Sequence, residues 1–172
     1  MRIIGGSWRG RQIAVPKGSD VRPTGDRVRE AWLSIIQFDV PNARVVDLCA
    51  GSGALGIEAL SRGASHVTFV DTSSSALAGI EKNLAGLGAP RNSFTLQRGD
   101  AEQFVRSVTA QTFTLGFADP PYASTVAAAL SMAWNATHFA TVLGIEHPSA
   151  LSLDGGGEQR RYGQTAITFF RG

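Results

Sequence analysis

The sequence predicts a single α/β domain with a Rossmann-like, mostly parallel sheet, an antiparallel C-terminal hairpin and a short N-terminal extension. Three observations lead to this prediction. Segments typical of strands and of helices alternate from residue 44 onward, a glycine-rich turn follows the first strand of that series, and basic residues concentrate before it. Such alternation is typical of parallel strands whose connecting helices cover both faces of one sheet.

Size and composition limit the protein to one globular domain. The chain has 172 residues, of which 43% are hydrophobic and 17% are charged, enough for one buried core. A single cysteine excludes an internal disulfide, and three scattered histidines give no zinc-ligand spacing, so we expect no metal. No segment resembles a signal peptide or a membrane span, so we expect a cytoplasmic protein with no membrane partner. We also expect a monomer.

The domain is predicted to span residues 1–172, with residues 1–23 as its basic extension. Two extended segments, 2–4 and 11–15, flank a glycine-rich stretch and predict a hairpin or loop. A helix follows, which Thr24 can cap and which Pro41 ends. Arg29 is expected to face away from its packing surface. The residues that recur at helical spacing on that surface are Val28, Trp32, Ile35 and Ile36.

The α/β series follows this helix. Strands are predicted at residues 45–48, 66–70, 93–97, 113–118 and 139–145. Helices are predicted at residues 54–61, between a cap at Ser73 and a stop at Gly88, and at residues 101–108 and 123–136. Residues 160–162 and 165–170, separated by Gly163 and Gln164, predict the final antiparallel hairpin.

The turn after the first strand carries the pattern G-x-G-x-x-G in Gly51, Gly53 and Gly56. Glycines in a strand-turn-helix context let a nucleotide-containing ligand approach the backbone, and an acid at the end of the next strand can hold ribose hydroxyls. Asp71 is such an acid, twenty residues after Gly51. A nicotinamide dinucleotide and S-adenosylmethionine both fit this arrangement.

Asp47, at the end of the first strand, favours S-adenosylmethionine. A carboxylate repels a pyrophosphate but attracts a sulfonium cation. Asp100, after the third strand, can accept a hydrogen bond from the adenine amine. Each acid alone is equally compatible with a helix cap or a solvated strand end, but three at successive strand ends favour a binding site. The predicted cofactor-binding residues are Asp47, Gly51, Gly53, Asp71, Asp100 and Ala101.

A second motif, Asp119-Pro120-Pro121-Tyr122, directly follows the apolar fourth strand. An exocyclic base amine is a poor nucleophile because its lone pair is delocalised into the ring. The Asp119 carboxylate and the Pro120 carbonyl could accept its two N–H groups, while the prolines stiffen the loop and Tyr122 stacks on the base. A simple turn that ends a strand is the alternative. Together with the upstream glycine turn, the motif predicts a catalytic loop that presents an exocyclic amine to a methyl donor.

With these residues in place, the chain resembles the small-subunit (16S) ribosomal RNA guanine-N2 methyltransferase family, also called ribosomal RNA small-subunit methyltransferase D. The resemblance implies the class I methyltransferase fold, S-adenosylmethionine as donor and a guanine N2 amine in ribosomal RNA, or in an assembly intermediate of the small subunit, as acceptor. Cys49 and Thr114 depart from the family, which commonly has an aromatic residue and an aspartate there. The matching segments are residues 2–6 (RIIGG), 9–11 (RGR), 22–24 (RPT), 26–30 (DRVRE), 47–63, 119–122 (DPPY) and 162–165 (YGQT).

Positive charge concentrates in residues 1–30, which carry a net +4 while the whole chain carries +2. Such a segment either contacts RNA phosphate or forms surface ion pairs. The candidate RNA-binding residues are Arg9, Arg11, Arg22 and Arg27. Three alternatives stay open: an adenine-N6 methyltransferase, which usually needs an additional recognition region; a nicotinamide-dependent oxidoreductase, which leaves residues 119–122 unexplained; and a non-catalytic RNA-binding module.

Overall fold

The computed structural model describes residues 1–15 and 23–172, with the backbone alone at Pro23 and Thr24. The helices are α1 (Pro23–Ile35), α2 (Ala54–Ser61), α3 (Ser74–Leu87), α4 (Ala101–Ser107) and α5 (Val126–Thr137). The strands are β1 (Arg44–Leu48), β2 (His66–Asp71), β3 (Phe94–Arg98), β4 (Phe113–Ala118), β5 (Ala140–Pro148), β6 (Glu158–Tyr162) and β7 (Thr165–Arg171). A short 3-10 helix, Arg91–Ser93, precedes β3.

The seven strands form one sheet in the order β3-β2-β1-β4-β5-β7-β6. Strands β1 to β5 are parallel, and β7 pairs antiparallel with β5 on one side and β6 on the other. This confirms the predicted mostly parallel sheet and its antiparallel C-terminal hairpin. The strand order reverses between β1 and β4, and a reversal of this kind opens a crevice at the carboxyl ends of the strands, where open α/β sheets bind ligands.

Alternating residues along the strands pack into two separate hydrophobic cores, one on each face of the sheet. Val45 packs with α1, α2 and α3, while its neighbour Val46 packs with α4 and α5. Successive strand residues point to opposite faces, so helices cover both sides. Both residues are fully buried, as expected for parallel strands covered on both sides.

Most predicted boundaries agree with the structure to within a residue or two, and the exceptions have local causes. Strand β5 continues to Pro148 rather than ending at residue 145, because β7 pairs with its last three residues. Helix α5 begins at Val126 rather than at residue 123, because Ser124 closes a turn on the Pro121 carbonyl through both its N–H and its hydroxyl.

The predicted N-terminal hairpin is reduced to a single antiparallel bridge between Arg2 and Gln12. Cross-strand hydrogen bonds such as that from the Ile3 N–H to the Arg11 carbonyl, at 2.9 Å, flank this bridge. The next N–H groups along the chain bind α2 instead. The buried Glu58 carboxylate accepts from the N–H groups of Ile4 and Gly5, the latter at 3.3 Å. Ser61 Oγ donates to the Gly5 carbonyl at 2.6 Å. The extension is therefore attached to the domain through side chains of α2.

Two residues of α1 face the opposite way from the prediction. Trp32 is its anchor, in edge-to-face contact with Phe117 at 5.8 Å and Phe169 at 6.2 Å. Ile35 is exposed, whereas Arg29 is buried with 6% of its surface accessible. Because Arg29 lies three residues before Trp32, it shares the inward face. The helix also begins at Pro23, one residue before the predicted cap Thr24, and ends at Ile35, well before Pro41.

Within residues 1–15 and 23–172, no helix combines the length and the apolarity needed to cross a membrane. The same residues contain no group of three or more histidine, cysteine, aspartate or glutamate side chains placed to hold a metal ion.

Candidate active site

A cavity of about 780 Å³ opens at the carboxyl ends of the strands, on both sides of the point where the strand order reverses. Its wall contains the whole predicted reacting loop, residues 119–122, together with Asp47, Gly51 and Asp71. The folding of the chain thus brings the two sequence motifs, about seventy residues apart, into one cavity. Gly53, Asp100 and Ala101 lie outside the cavity lining.

The glycine turn connects β1 to α2 through a left-handed backbone. Gly53 is the residue before α2 and has a φ of 74°. A Cβ atom there would lie 2.8 Å from Ile80 Cγ1, so Gly53 shapes the turn by close packing as well as by its backbone. Cys49 also has a positive φ, 60°, a conformation that costs free energy for a residue with a side chain.

Asp47 lies beneath this turn, only 2% exposed. Its Oδ2 accepts a hydrogen bond from the Gly56 N–H at 3.0 Å. Burial raises the pKa of Asp47 to about 8, against the lowering effect of the Gly56 N–H and with further increases from the carboxylates of Asp119 and Asp71. At neutral pH this carboxyl holds a proton that a nearby cation would displace.

Asp71 ties the turn to the end of β2. Its Oδ2 accepts from the Gly51 N–H at 2.8 Å, and its Oδ1 accepts from the Ser73 N–H at 2.8 Å. These two bonds fix the carboxylate at the edge of the cavity, where the sequence places the acid for ribose hydroxyls.

Asp100 is the N-cap of α4, and its Oδ1 accepts from the Gln103 N–H at 3.0 Å. Ala101, the first residue of that helix, is buried in the core. The adenine contact assigned to these two residues stays a prediction.

The four acids act together on Cys49. Burial, followed by the carboxyl groups of Asp71, Asp47, Asp119 and Asp100 in that order, raises the pKa of its thiol to about 12. The cavity therefore carries a concentrated negative field that favours a positively charged ligand.

Burial, together with this field, makes Cys49 unreactive. Since the thiolate is the nucleophile, and the thiol pKa increases from 9.0 to about 12, we expect native protein at pH 8 to react with iodoacetamide about 1000-fold more slowly than protein unfolded in urea. Mass spectrometry of timed samples measures both rates. Equal rates in the two states would contradict the raised pKa of the Cys49 thiol.

The reacting loop is held by Tyr122. Its hydroxyl donates to Glu146 Oε1 at 2.9 Å, and its oxygen lies 2.6 Å from Thr165 Oγ1. Burial raises the pKa of Tyr122 to about 12, with Thr165 opposing and the charges of Glu146 and Asp119 adding to the increase. The phenol therefore stays protonated, and its ring is anchored by the hydroxyl at one end.

The cavity also contains residues that the sequence reasoning did not assign to it. Arg29 donates to the Arg2 carbonyl at 3.1 Å and pairs with Asp26 at 3.3 Å. Helical spacing from Trp32 is the signal that could have placed it. Glu146 lies one residue beyond the predicted end of its strand, and a longer predicted β5 would have placed it beside Asp119.

The described candidate RNA-binding arginines differ in their surroundings. Arg11 donates to the carbonyls of Leu87 at 3.1 Å and Gly86 at 2.6 Å, at the C-terminal end of α3. Arg9 and Arg27 are exposed. Arg22 lies outside the described residues. Their contact with RNA stays a prediction.

The sequence model of one family, described as conserved hypothetical protein 95, matches residues 1–171. The chain belongs to this family. A relative from Escherichia coli strain K12, named ribosomal RNA small subunit methyltransferase D, is 38% identical over 130 residues. That alignment covers 71% of this chain and 60% of the relative's own length. The match confirms the family resemblance found in the sequence.

The fold of this chain, a member of the conserved hypothetical protein 95 family, is similar to solved methyltransferase structures. A structure from Escherichia coli superposes with a TM-score of 0.85 at 28% identity, covering 99% of this chain and 97% of that chain. The T. thermophilus 16S rRNA N2 G1207 methyltransferase, solved with AdoMet and guanosine, has a TM-score of 0.72 at 18% identity and covers 91% of this chain and 45% of that chain. The predicted class I methyltransferase fold is confirmed.

Proposed function

We propose that this protein transfers a methyl group from S-adenosylmethionine to the exocyclic N2 amine of a guanine in small-subunit ribosomal RNA. One observation carries the proposal: the loop Asp119-Pro120-Pro121-Tyr122 and the acidic glycine turn share the wall of one cavity. The name of the Escherichia coli relative supports ribosomal RNA as the acceptor.

The residues at the turn fit a cationic adenosyl cofactor. Its methyl sulfonium supplies an electrophilic methyl group. The carboxylates of Asp71, Asp100 and Asp119 supply a negative field at Cys49. Asp47 adds its charge once a cation displaces its proton. This field favours a positive charge and disfavours the pyrophosphate of a dinucleotide. Asp71, held by two backbone N–H groups, would accept hydrogen bonds from ribose hydroxyls.

The reacting loop would prepare the amine for attack. Asp119 and the Pro120 carbonyl are hydrogen-bond acceptors, so each can take one N–H of the amine and favour a pyramidal nitrogen with a directed lone pair. The anchored ring of Tyr122 offers a face on which the base can stack. The exposed Arg9 and Arg27 would contact RNA phosphates.

The decisive test uses small-subunit ribosomal RNA, both as naked RNA and as partly assembled particles. We expect purified protein with S-adenosylmethionine to place one methyl group on the N2 of a guanine, located by mass spectrometry of nuclease fragments. Methylation of adenine N6 would replace the acceptor part of the proposal. Titration calorimetry that detects binding of NAD and none of S-adenosylmethionine would overturn it altogether.

The protonated Asp47 makes cofactor binding pH-dependent. Its pKa is about 8 in the described structure, and a nearby sulfonium lowers it, so binding releases a proton. Affinity for S-adenosylmethionine should therefore increase by about tenfold from pH 6 to pH 8. S-adenosylhomocysteine lacks the sulfonium charge and should change much less.

Calorimetry in buffers of different ionisation enthalpy counts the released proton. Asp47→Asn removes the titrating group and should leave the affinity for S-adenosylmethionine nearly independent of pH. An unchanged pH slope in this variant would show that another group titrates.

A further inference from the structure

Glu146 lies beside the reacting loop because of the strand register. Ala118, the last residue of β4, pairs with Ile145 on the parallel neighbour β5. The next residues along the two strands are Asp119 and Glu146. Adjacent strands lie about 4.8 Å apart, so the sheet places the two carboxyl-bearing residues next to each other. Both residues line the cavity.

The contacts of Glu146 hold its carboxylate at the ring of Tyr122. Glu146 Oε1 accepts the Tyr122 hydroxyl proton at 2.9 Å, and Thr165 contacts the same hydroxyl at 2.6 Å. The charges of both Glu146 and Asp119 raise the pKa of Tyr122, which places both carboxylates close to it. A base stacked on this ring would therefore lie near both carboxylates.

An ionised carboxylate only accepts hydrogen bonds, up to about four of them, so Glu146 can hold Tyr122 and a base N–H at the same time. The Watson–Crick edge of guanine presents adjacent donors, N1–H and the N2 amine. Adenine and 2-aminopurine have an acceptor lone pair at N1 instead. A site with acceptors at both positions therefore selects the guanine edge.

We propose that Glu146 accepts the N1–H of the target guanine and thereby determines the specificity of the site for guanine. The proposal rests on the proposed function, in which Asp119 and the Pro120 carbonyl hold the N2 amine. In a purine without N1–H, the N1 lone pair would face the Glu146 carboxylate, so two hydrogen-bond acceptors would oppose each other. A base that leaves polar groups mismatched in this way binds much more weakly.

The test compares two RNAs that differ only at the mapped target nucleotide, guanosine or 2-aminopurine riboside, with wild-type protein and Glu146→Gln. Both bases carry an N2 amine. The glutamine amide can donate to the N1 of 2-aminopurine, whereas the glutamate cannot. We expect Glu146→Gln to lose about 10- to 100-fold in kcat/KM on the guanine RNA. The ratio of 2-aminopurine to guanine activity should increase at least about tenfold.

Thr165→Val is the matched control, because it removes a partner of the Tyr122 hydroxyl and leaves Glu146 in place. It should lower both activities by the same factor and leave the ratio unchanged. A purely supporting role of Glu146 would make the two variants behave alike, and an unchanged ratio in Glu146→Gln overturns the proposal. Calorimetry with S-adenosylmethionine checks that both variants are folded.

The activity of the wild-type protein on the two RNAs tests the proposal without any variant. If it methylates 2-aminopurine RNA as well as guanine RNA, Glu146 does not read N1–H and the specificity proposal fails alone. If it methylates no guanine in either naked RNA or assembly particles, the proposed function fails and this inference with it.

Discussion

Asp119→Ala is expected to lower kcat for methyl transfer by about 100- to 1000-fold, with little change in affinity for S-adenosylmethionine. In the proposed function the carboxylate accepts an N–H of the target amine, and an acceptor placed where charge develops contributes most in the transition state. Transfer of a radiolabelled methyl group to RNA measures the rate, and calorimetry measures cofactor binding. A variant that keeps wild-type kcat would refute the role assigned to Asp119.

Asp119→Asn is the matched comparison. Its side-chain oxygen still accepts one hydrogen bond but carries no charge, so the loss of kcat should lie between wild type and alanine, at about tenfold. If asparagine and alanine were equally impaired, the negative charge of Asp119 rather than its acceptor oxygen would be the important property.

Gly56→Ala is expected to reduce the free energy of unfolding by about 3 kcal/mol. A Cβ atom at this position would lie 2.3 Å from Phe69 Cε1 and 2.9 Å from Val67 Cγ1. Both are buried in the core beneath α2 and have no room to move away. The displaced helix would also weaken the hydrogen bond from the Gly56 N–H to Asp47. Urea unfolding followed by circular dichroism measures the change.

Gly79→Ala provides the control for this substitution. Gly79 lies inside α3, and a Cβ atom there has no neighbour within 4 Å. Alanine favours a helix over glycine by about 1 kcal/mol, so this variant should be slightly more stable than wild type. A loss of stability in both variants would mean that packing against Phe69 is not the cause.

Sequence patterns predicted the parts of the fold that depend on local chemistry. The stop of α3 at Gly88 needs a left-handed residue, and Gly88 has a φ of 74°. Ser73 caps the same helix through its hydroxyl, as predicted. The positions of Asp47, Asp71 and the reacting loop followed from one rule, that the carboxyl ends of parallel strands share an edge.

Features that depend on distant partners could not be predicted. Arg29 carries a charge that a helical pattern assigns to solvent. Its burial is explained by its bonds to the Met1 sulfur, the Arg2 carbonyl and Asp26. The pairing between the two segments of the extension ends after Ile3, because the next two N–H groups bind Glu58. The length of β5 is set by its pairing with β7, so sequence patterns did not assign Glu146 to the site.

The position of β1 between β2 and β4 affects how the protein matures during synthesis. At translation rates of about 5–20 residues per second, several seconds separate the emergence of β1 from that of β4. During this interval one edge of β1 has no partner strand, although its other edge can already pair with β2. The cofactor turn belongs to this early half, and the reacting loop arrives with the late half. A nascent chain therefore begins to enclose the cavity when β4 is added to the sheet, and completes it after Glu146 of β5 and Thr165 of β7 have followed.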